Sequence, residues 1–250
     1  QFLRVDNTIA RVEGVRGGSS IAFASNSPGG VVNFVSKTGT VEGGSVGFTR
    51  GIGYDNFRTD FEYGSPINDT LRFHVGGFYR IGDGPRKIGF RAEQGGQLKA
   101  NITKEFGDRN YVRLYFKYLN DSVPTYLPMP LRVSGSNSNP SFGSLPGFDA
   151  VSSSNISSGL SSVLASNGRR SSILDGNISK STAIGGDFHF DTGSGWTIDE
   201  KFRYARNSGT FFGAFSADVK AATAFATISG SSTLAGANGI RYVGDSANLT

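Results

Sequence analysis

Apolar and polar residues alternate with a period of two along most of this chain from about residue 45 onward. Successive residues of a strand point to opposite faces, so each alternating run predicts a strand with one apolar and one polar side. Phe57, Thr59, Phe61 and Tyr63 share one face, with Arg58, Asp60 and Glu62 on the other. Leu71, Phe73, Val75, Tyr79 and Ile81 oppose Arg72, His74 and Arg80. Leu98, Ala100, Ile102 and Phe106 oppose Gln97, Lys99, Asn101, Thr103 and Glu105, and Val112, Leu114, Phe116 and Tyr118 oppose Arg113, Tyr115 and Lys117. Ile184, Phe188 and Phe190 then oppose Asp187, His189 and Asp191, and Trp196, Ile198, Phe202 and Tyr204 oppose Asp199, Lys201 and Arg203. About seven strands are predicted between Ser45 and Asn207. Short turns fall at 66–69, 107–110 and 192–195, and longer connections at 82–89, at about 120–180 and from 208 onward. The 120–180 stretch reads as an unstructured loop rich in Ser, Asn, Gly and Pro, and 214–227 as a short helix. Arg50 and Glu200 fall in phase with apolar neighbours, which predicts a bulge there or a place near a strand end.

A soluble sandwich alternates too, so the period alone leaves the environment open. Three features favour lipid. The strands are longer than the roughly 5–6 residues usual in soluble sheets. Their second faces are densely charged, as a wet barrel interior allows. Tyr63, Tyr79, Tyr118, Trp196 and Tyr204 lie near strand ends, where interfacial aromatic girdles sit. Phe61, Phe73, Leu114 and Phe188 are therefore expected to face lipid. Bacterial single-chain barrels close with an even strand number, so seven strands are expected to be part of a larger whole. Alternating short and long connections place the long loops on the outer side.

Ahead of the strands lies RVEGVRGGSSIAFASNSPGGVVNFVSK, residues 11–37. Gly17, Gly18, Gly29 and Gly30 permit close backbone approach, and Pro28 before two glycines signals a turn. Val31, Val32, Phe34 and Val35 read as a short buried strand. Arg11, Glu13 and Arg16 have two readings. They are either a solvated face with an ion pair worth about 0–1 kcal/mol, or charges that pair with carboxylates of a surrounding barrel wall.

Arg11-Val12-Glu13, Arg16-Gly17 and Pro28-Gly29-Gly30-Val31-Val32-Asn33 resemble the end of the plug domain of TonB-dependent outer-membrane transporters. Gly18 stands where the family has proline, and Phe23-Ala24 where it has an aromatic-glycine step, so the loop conformation departs from the pattern. The resemblance implies residues 1–40 as the C-terminal part of a plug and 41–250 as the N-terminal part of a transmembrane β-barrel with long extracellular loops. The fold class expected is all-β, an antiparallel transmembrane barrel represented by about its first seven strands. Large plugged barrels have 22 strands. Residues 1–40 are then expected inside the barrel, against the polar strand faces. The implied function is active import of a scarce nutrient such as a ferric siderophore across the outer membrane of a Gram-negative bacterium. It is energised by a TonB-type protein whose contact box would lie upstream of Gln1. Arg11, Glu13, Arg16, Gly17, Pro28, Gly29, Gly30 and Asn33 carry the plug motif, with structural or gating roles.

Composition narrows the alternatives. The chain has 36 glycines and 20 phenylalanines against one methionine and one tryptophan, which suits aromatic strands and many turns. It has no cysteine, so disulfides and thiolate metal sites are excluded. The net charge is +5, but the basic residues are scattered singly, without the basic run or helix that nucleic acid recruits. No run approaches the roughly 20 apolar residues of a membrane helix, a test that barrel strands do not enter. His74 and His189 lack a spaced partner, so no metal or cofactor site is expected, and no nucleophile elbow or phosphate loop suggests an enzyme. Tyr126, Phe142, Arg169 and Arg170 are loop candidates for contact with an anionic or aromatic small-molecule ligand such as a metal chelate. A passive porin, without a plug, and a secreted Ser/Gly-rich adhesin or carbohydrate-binding β protein are the competing functions.

Overall fold

The computed structural model describes residues 2–16, 29–85, 91–107, 109–124, 131–144 and 177–211, together with the two-residue strands at 163–164, 170–171, 219–220, 234–235, 241–242 and 247–248. All regular structure among them is β, paired antiparallel throughout. The strands are β1 (Ile9–Arg16), β2 (Gly30–Ser36), β3 (Gly43–Arg50), β4 (Asn56–Asn68), β5 (Leu71–Gly82), β6 (Glu93–Phe106) and β7 (Asn110–Val123). They continue as β8 (Leu131–Ser136), β9 (Asn139–Ser144), β10 (Val163–Leu164), β11 (Arg170–Ser171), β12 (Asn177–Asp191) and β13 (Thr197–Thr210). The last four, β14 (Val219–Lys220), β15 (Leu234–Ala235), β16 (Arg241–Tyr242) and β17 (Ala247–Asn248), pair β14 with β17 and β15 with β16.

Seven strands form one sheet in the order β13-β12-β7-β6-β5-β4-β3, each paired with its neighbour in the chain once the 124–176 connection is passed over. β4 to β7, β12 and β13 have 12 to 15 residues each. A tilted strand needs only about 9–11 to cross a bilayer. The hairpin order puts the 69–70, 107–109 and 192–196 turns on one rim of the sheet. The 83–92 and 124–176 connections and the 51–55 turn lie on the other.

The expected short turn at 66–69 is displaced. Pro66, Ile67 and Asn68 belong to β4, with a register shift between Pro66 and Asn68, and the reversal falls at Asp69 and Thr70, where Asn68 Oδ1 accepts from the Thr70 amide at 3.0 Å. Proline has no amide to give the ladder, and the irregularity accommodates it. The 120–180 connection is not wholly without structure, because β8 and β9 form a hairpin in it. Of the expected helix at 214–227, Val219–Lys220 is instead a strand and the rest lies outside the described residues. Neither Arg50 nor Glu200 sits at a bulge, since both ladders run through them without a shift. Arg50 ends β3 and meets Asp55 at 3.2 Å in the adjoining turn, while Glu200 is the fourth residue of β13 and exposed. Both charges therefore stand near a rim, where water reaches them.

The two faces of the sheet differ as the alternation predicted, in the inverse of a soluble sheet. Leu114 is 49% exposed and Tyr204 69%, with Phe61, Leu98, Ile102, Phe116, Ile184 and Ile198 exposed on the same side. Phe73 and Phe188 are half-buried: Phe73 packs against Tyr63 with tilted rings, centroids 6.0 Å apart, and Phe188 stacks on Phe202 at 5.8 Å. On the other side Thr103 is 0% exposed and Asp121 1%, and His74, Gln97, Ser179 and Ser181 are buried. Buried polar groups call for partners. Thr103 and His74 find theirs within the sheet, in Arg113 and Glu62, Gln97 and Asp121 are met by residues 2–8, and the Ser181 hydroxyl has none among the described residues; residues 2–8 and 36–42 cross this polar face.

Candidate functional site: a strap across the polar face

Residues 2–6 cross the sheet and turn at 7–8 without joining any ladder, so their carbonyls must find partners elsewhere. Side chains of the sheet supply them. Lys117 donates to Phe2 O at 2.7 Å, Gln97 to Arg4 O at 3.2 Å and Arg58 to Val5 O at 3.0 Å. The strap answers with alternate residues, since Arg4, Asp6 and Thr8 all turn to the sheet, as period two dictates. Arg4 Nε meets Asp121 Oδ2 at 2.5 Å, and Asp121 also accepts two bonds from Arg80, at 2.9 and 2.6 Å. One carboxylate, only 1% exposed, thus joins a strap guanidinium to a guanidinium of the sheet. Arg58 forks onto Asp60 through two bonds of 2.6 Å and lies 4.1 Å above the Phe78 ring, with Arg80 5.9 Å from the same ring. Asp6 accepts from Gln97 at 2.6 Å, from the Thr8 amide at 3.1 Å and from the Thr8 hydroxyl at 2.5 Å, and lies 3.4 Å from Lys99 Nζ.

The chain returns to the face at Lys37. Its amide donates to Thr8 O at 2.8 Å, its carbonyl accepts from Asn101 at 2.9 Å and its ammonium meets Glu62 Oε1 at 3.0 Å. Glu62 is shared further, with His74 Nε2 at 2.8 Å and the Ser45 hydroxyl at 3.1 Å. Strap and return segment are therefore tied to each other and to strands β4, β6 and β7 of the sheet.

Between them, β1 and β2 form a two-stranded hairpin that carries the motif residues. Glu13 stands opposite Asn33 and accepts from it at 2.9 Å and from Arg11 at 2.7 Å. The Arg11 and Asn33 bonds hold the Glu13 carboxyl below the usual carboxylate range. Arg11 thus finds its carboxylate on its own hairpin, both side chains are exposed, and the expected pairing with a wall carboxylate is not what the structure places here. Arg16 is exposed at the end of β1, opposite Gly30, and forms no ion pair with a described residue. Gly30 has φ of 132°, and a Cβ there would strike the Val15 carbonyl, so this position requires glycine. Gly29 meets no such obstacle, while Gly17 and Pro28 lie outside the described residues. The 31–35 run is a strand as expected but not a buried one, with Val32 61% exposed.

Of the loop candidates, Phe142 is exposed on β9. Tyr126 and Arg169 lie outside the described residues, as does the side chain of Arg170 in β11. His74 is occupied by Glu62, and His189 binds Asp199 at 2.7 Å and stacks on Tyr111. No group of three metal-ligating side chains occurs among the described residues. The residues that hold the strap, Arg4, Asp6, Thr8, Phe78 and Asp121, were not among the sequence candidates. One signal for them was available: Arg4, Asp6 and Thr8 are polar at every second position. No protein-family model matches the chain, and comparison with curated proteins returns no match.

Proposed function

We propose that this chain is the closing part of a plug and part of the wall of an outer-membrane β-barrel, in a TonB-dependent transporter that imports a scarce nutrient such as a ferric siderophore. The observation that carries the reading is the inverted amphipathicity of the seven-stranded sheet. Six of its seven strands are long enough to cross a bilayer, many of their apolar side chains are exposed, and charged side chains such as Asp121 and Glu62 are buried beneath segments of the same chain. In water such a sheet would leave a broad apolar face uncovered, whereas in lipid that face is satisfied and the charges belong on the other side. A single charge on the lipid side at mid-depth would cost about 2–4 kcal/mol.

The strap gives this reading its direction. A passive pore has no need of a segment held across its polar face by a buried carboxylate between two arginines. An importer needs such a segment, held when idle and released when pulled. Coupling to a TonB-type protein, a metal-chelate ligand and placement in the outer membrane rest on the likeness of residues 11–33 to the plug motif. Nothing in the site suggests chemistry on the ligand.

Uptake of radio-iron by cells carrying the full-length gene, supplied with hydroxamate and catecholate chelates, tests the function. Uptake that needs both the gene and a TonB-type energising protein is expected. Uptake independent of the energising protein would make the protein a porin. Secretion of the full-length protein away from the membrane would make it an adhesin.

A further inference from the structure

A cleft of about 660 Å³ opens between the β1–β2 hairpin and strands β6, β7, β12 and β13, on the half of the polar face nearer the short turns. The ladders define its floor. Lys99 stands opposite Lys117, and Lys117 opposite Ala183; Tyr115 stands opposite Gly185, and Gly185 opposite Arg203; Arg113 stands opposite Asp187, and Asp187 opposite Lys201. Two basic strands, β7 and β13, thus flank β12, which contributes the small residues Ala183 and Gly185 between them. Adjacent strands lie about 4.8 Å apart, so the two basic rows are separated by roughly twice that, with the Tyr115 ring and the Asp187 carboxylate between them. The Tyr115 ring lies across Gly185, where a Cβ would collide with it, and Tyr115 donates to Phe202 O at 3.1 Å. The trough therefore has a fixed aromatic floor.

The charge in the cleft is unbalanced. Its carboxylates are committed: Glu13 to Arg11 at 2.7 Å and Asp187 to Arg113 at 3.2 Å. Asp199, next on the same face of β13, is taken by His189 at 2.7 Å. Lys99 leans on Asp6 of the strap. Lys117, Lys201 and Arg203 line the cleft with no carboxylate partner among the described residues. Like charges directly opposite on neighbouring strands are destabilising, and Lys99 faces Lys117 in that way. An arrangement that costs stability when empty is relieved by an anion.

We propose that this cleft binds a small molecule carrying two or more carboxylate or phosphate groups, held between Lys117 on one side and Lys201 and Arg203 on the other. Guanidinium and ammonium groups give charge-assisted bonds to either anion, and two facing rows select for more than one negative group. The site lies beneath the β1–β2 hairpin, with Leu3 and Thr8 of the strap in its lining, apart from the exposed loop candidate Phe142, and it does not depend on the transport reading.

Titration calorimetry of the full-length protein with citrate and with pyrophosphate as probes tests this. Saturable binding of at least one probe is expected, weakening with ionic strength. The Lys201→Gln/Arg203→Gln variant is expected to bind about tenfold more weakly, near 1.4 kcal/mol, and Arg203→Lys to retain most of the affinity. Both altered residues have exposed side chains on β13, so the fold is not at stake, and the salt dependence needs no variant. Absence of saturable binding, or equal affinity in the double variant, overturns the proposal. Co-sedimentation with phosphatidylglycerol vesicles without binding of either soluble probe also overturns it, assigning the charges to lipid phosphate.

Discussion

Asp121 concentrates the energetics of the strap. Its carboxylate accepts from Arg80 and Arg4, so its two partners are unequal in consequence. Removing Arg4 leaves Asp121 paired with Arg80 through two bonds, whereas removing Asp121 takes the shared anion from both guanidiniums and leaves Arg80 only Glu93, at 3.7 Å. Breaking a buried ion pair by removing one partner costs about 3–5 kcal/mol. Asp121→Ala is therefore expected to destabilise the full-length protein by about that amount, and Arg4→Ala by distinctly less. Denaturant midpoints read the difference, and equal losses would show that the carboxylate is not the shared centre. The alternation identified Arg80 as facing the polar side but could not pair it with a residue 41 positions away. Side-chain pairing at that separation is set by strand order, which no local window contains.

The β1–β2 hairpin is held by its ladder and by the Arg11–Glu13–Asn33 cluster, with little burial behind it. Its stability should therefore respond to acid. The Glu13 carboxyl is depressed in the folded hairpin, so its contribution is present above its ordinary value of 4.5 and is lost as pH falls through and below that value. Amide exchange across 9–16 and 30–36, corrected for intrinsic rates, is expected to quicken as pH falls through that range. In Glu13→Gln the pH dependence should vanish, and its persistence there would assign the effect to another group. The second strand of this hairpin was legible in sequence, while the first, Ile9–Arg16, was not. The hairpin's exposure was not legible either, because an apolar run reads alike whether or not another layer covers it.

The seven-stranded sheet acts as a whole through its two faces. Leu114, the fifth residue of β7, lies on the exposed apolar side, so a charge there tests the environment directly. Leu114→Arg is expected to cost about 2–4 kcal/mol if that side meets lipid, lowering the yield of heat-resistant, membrane-inserted protein, while Leu114→Phe assembles normally. Equal insertion of both would mean that the apolar face is covered by something other than lipid. The same sheet also sets where the strap can lie, since only its polar face offers donors to an unpaired backbone.

Sequence alone determined the seven strands of the main sheet and their two faces, because the pleat ties side-chain direction to position with a period of two, and a one-residue slip would reverse every side chain. It also determined which rim carries the short turns. The strap, the bridging of Asp121 between Arg4 and Arg80, the Lys37–Glu62–His74 linkage and the basic trough over Gly185 were decided only by the tertiary structure. Each of these joins residues from separate strands or segments. Strand order and register bring such residues within hydrogen-bonding distance, and neither is written in the local pattern of any one of them.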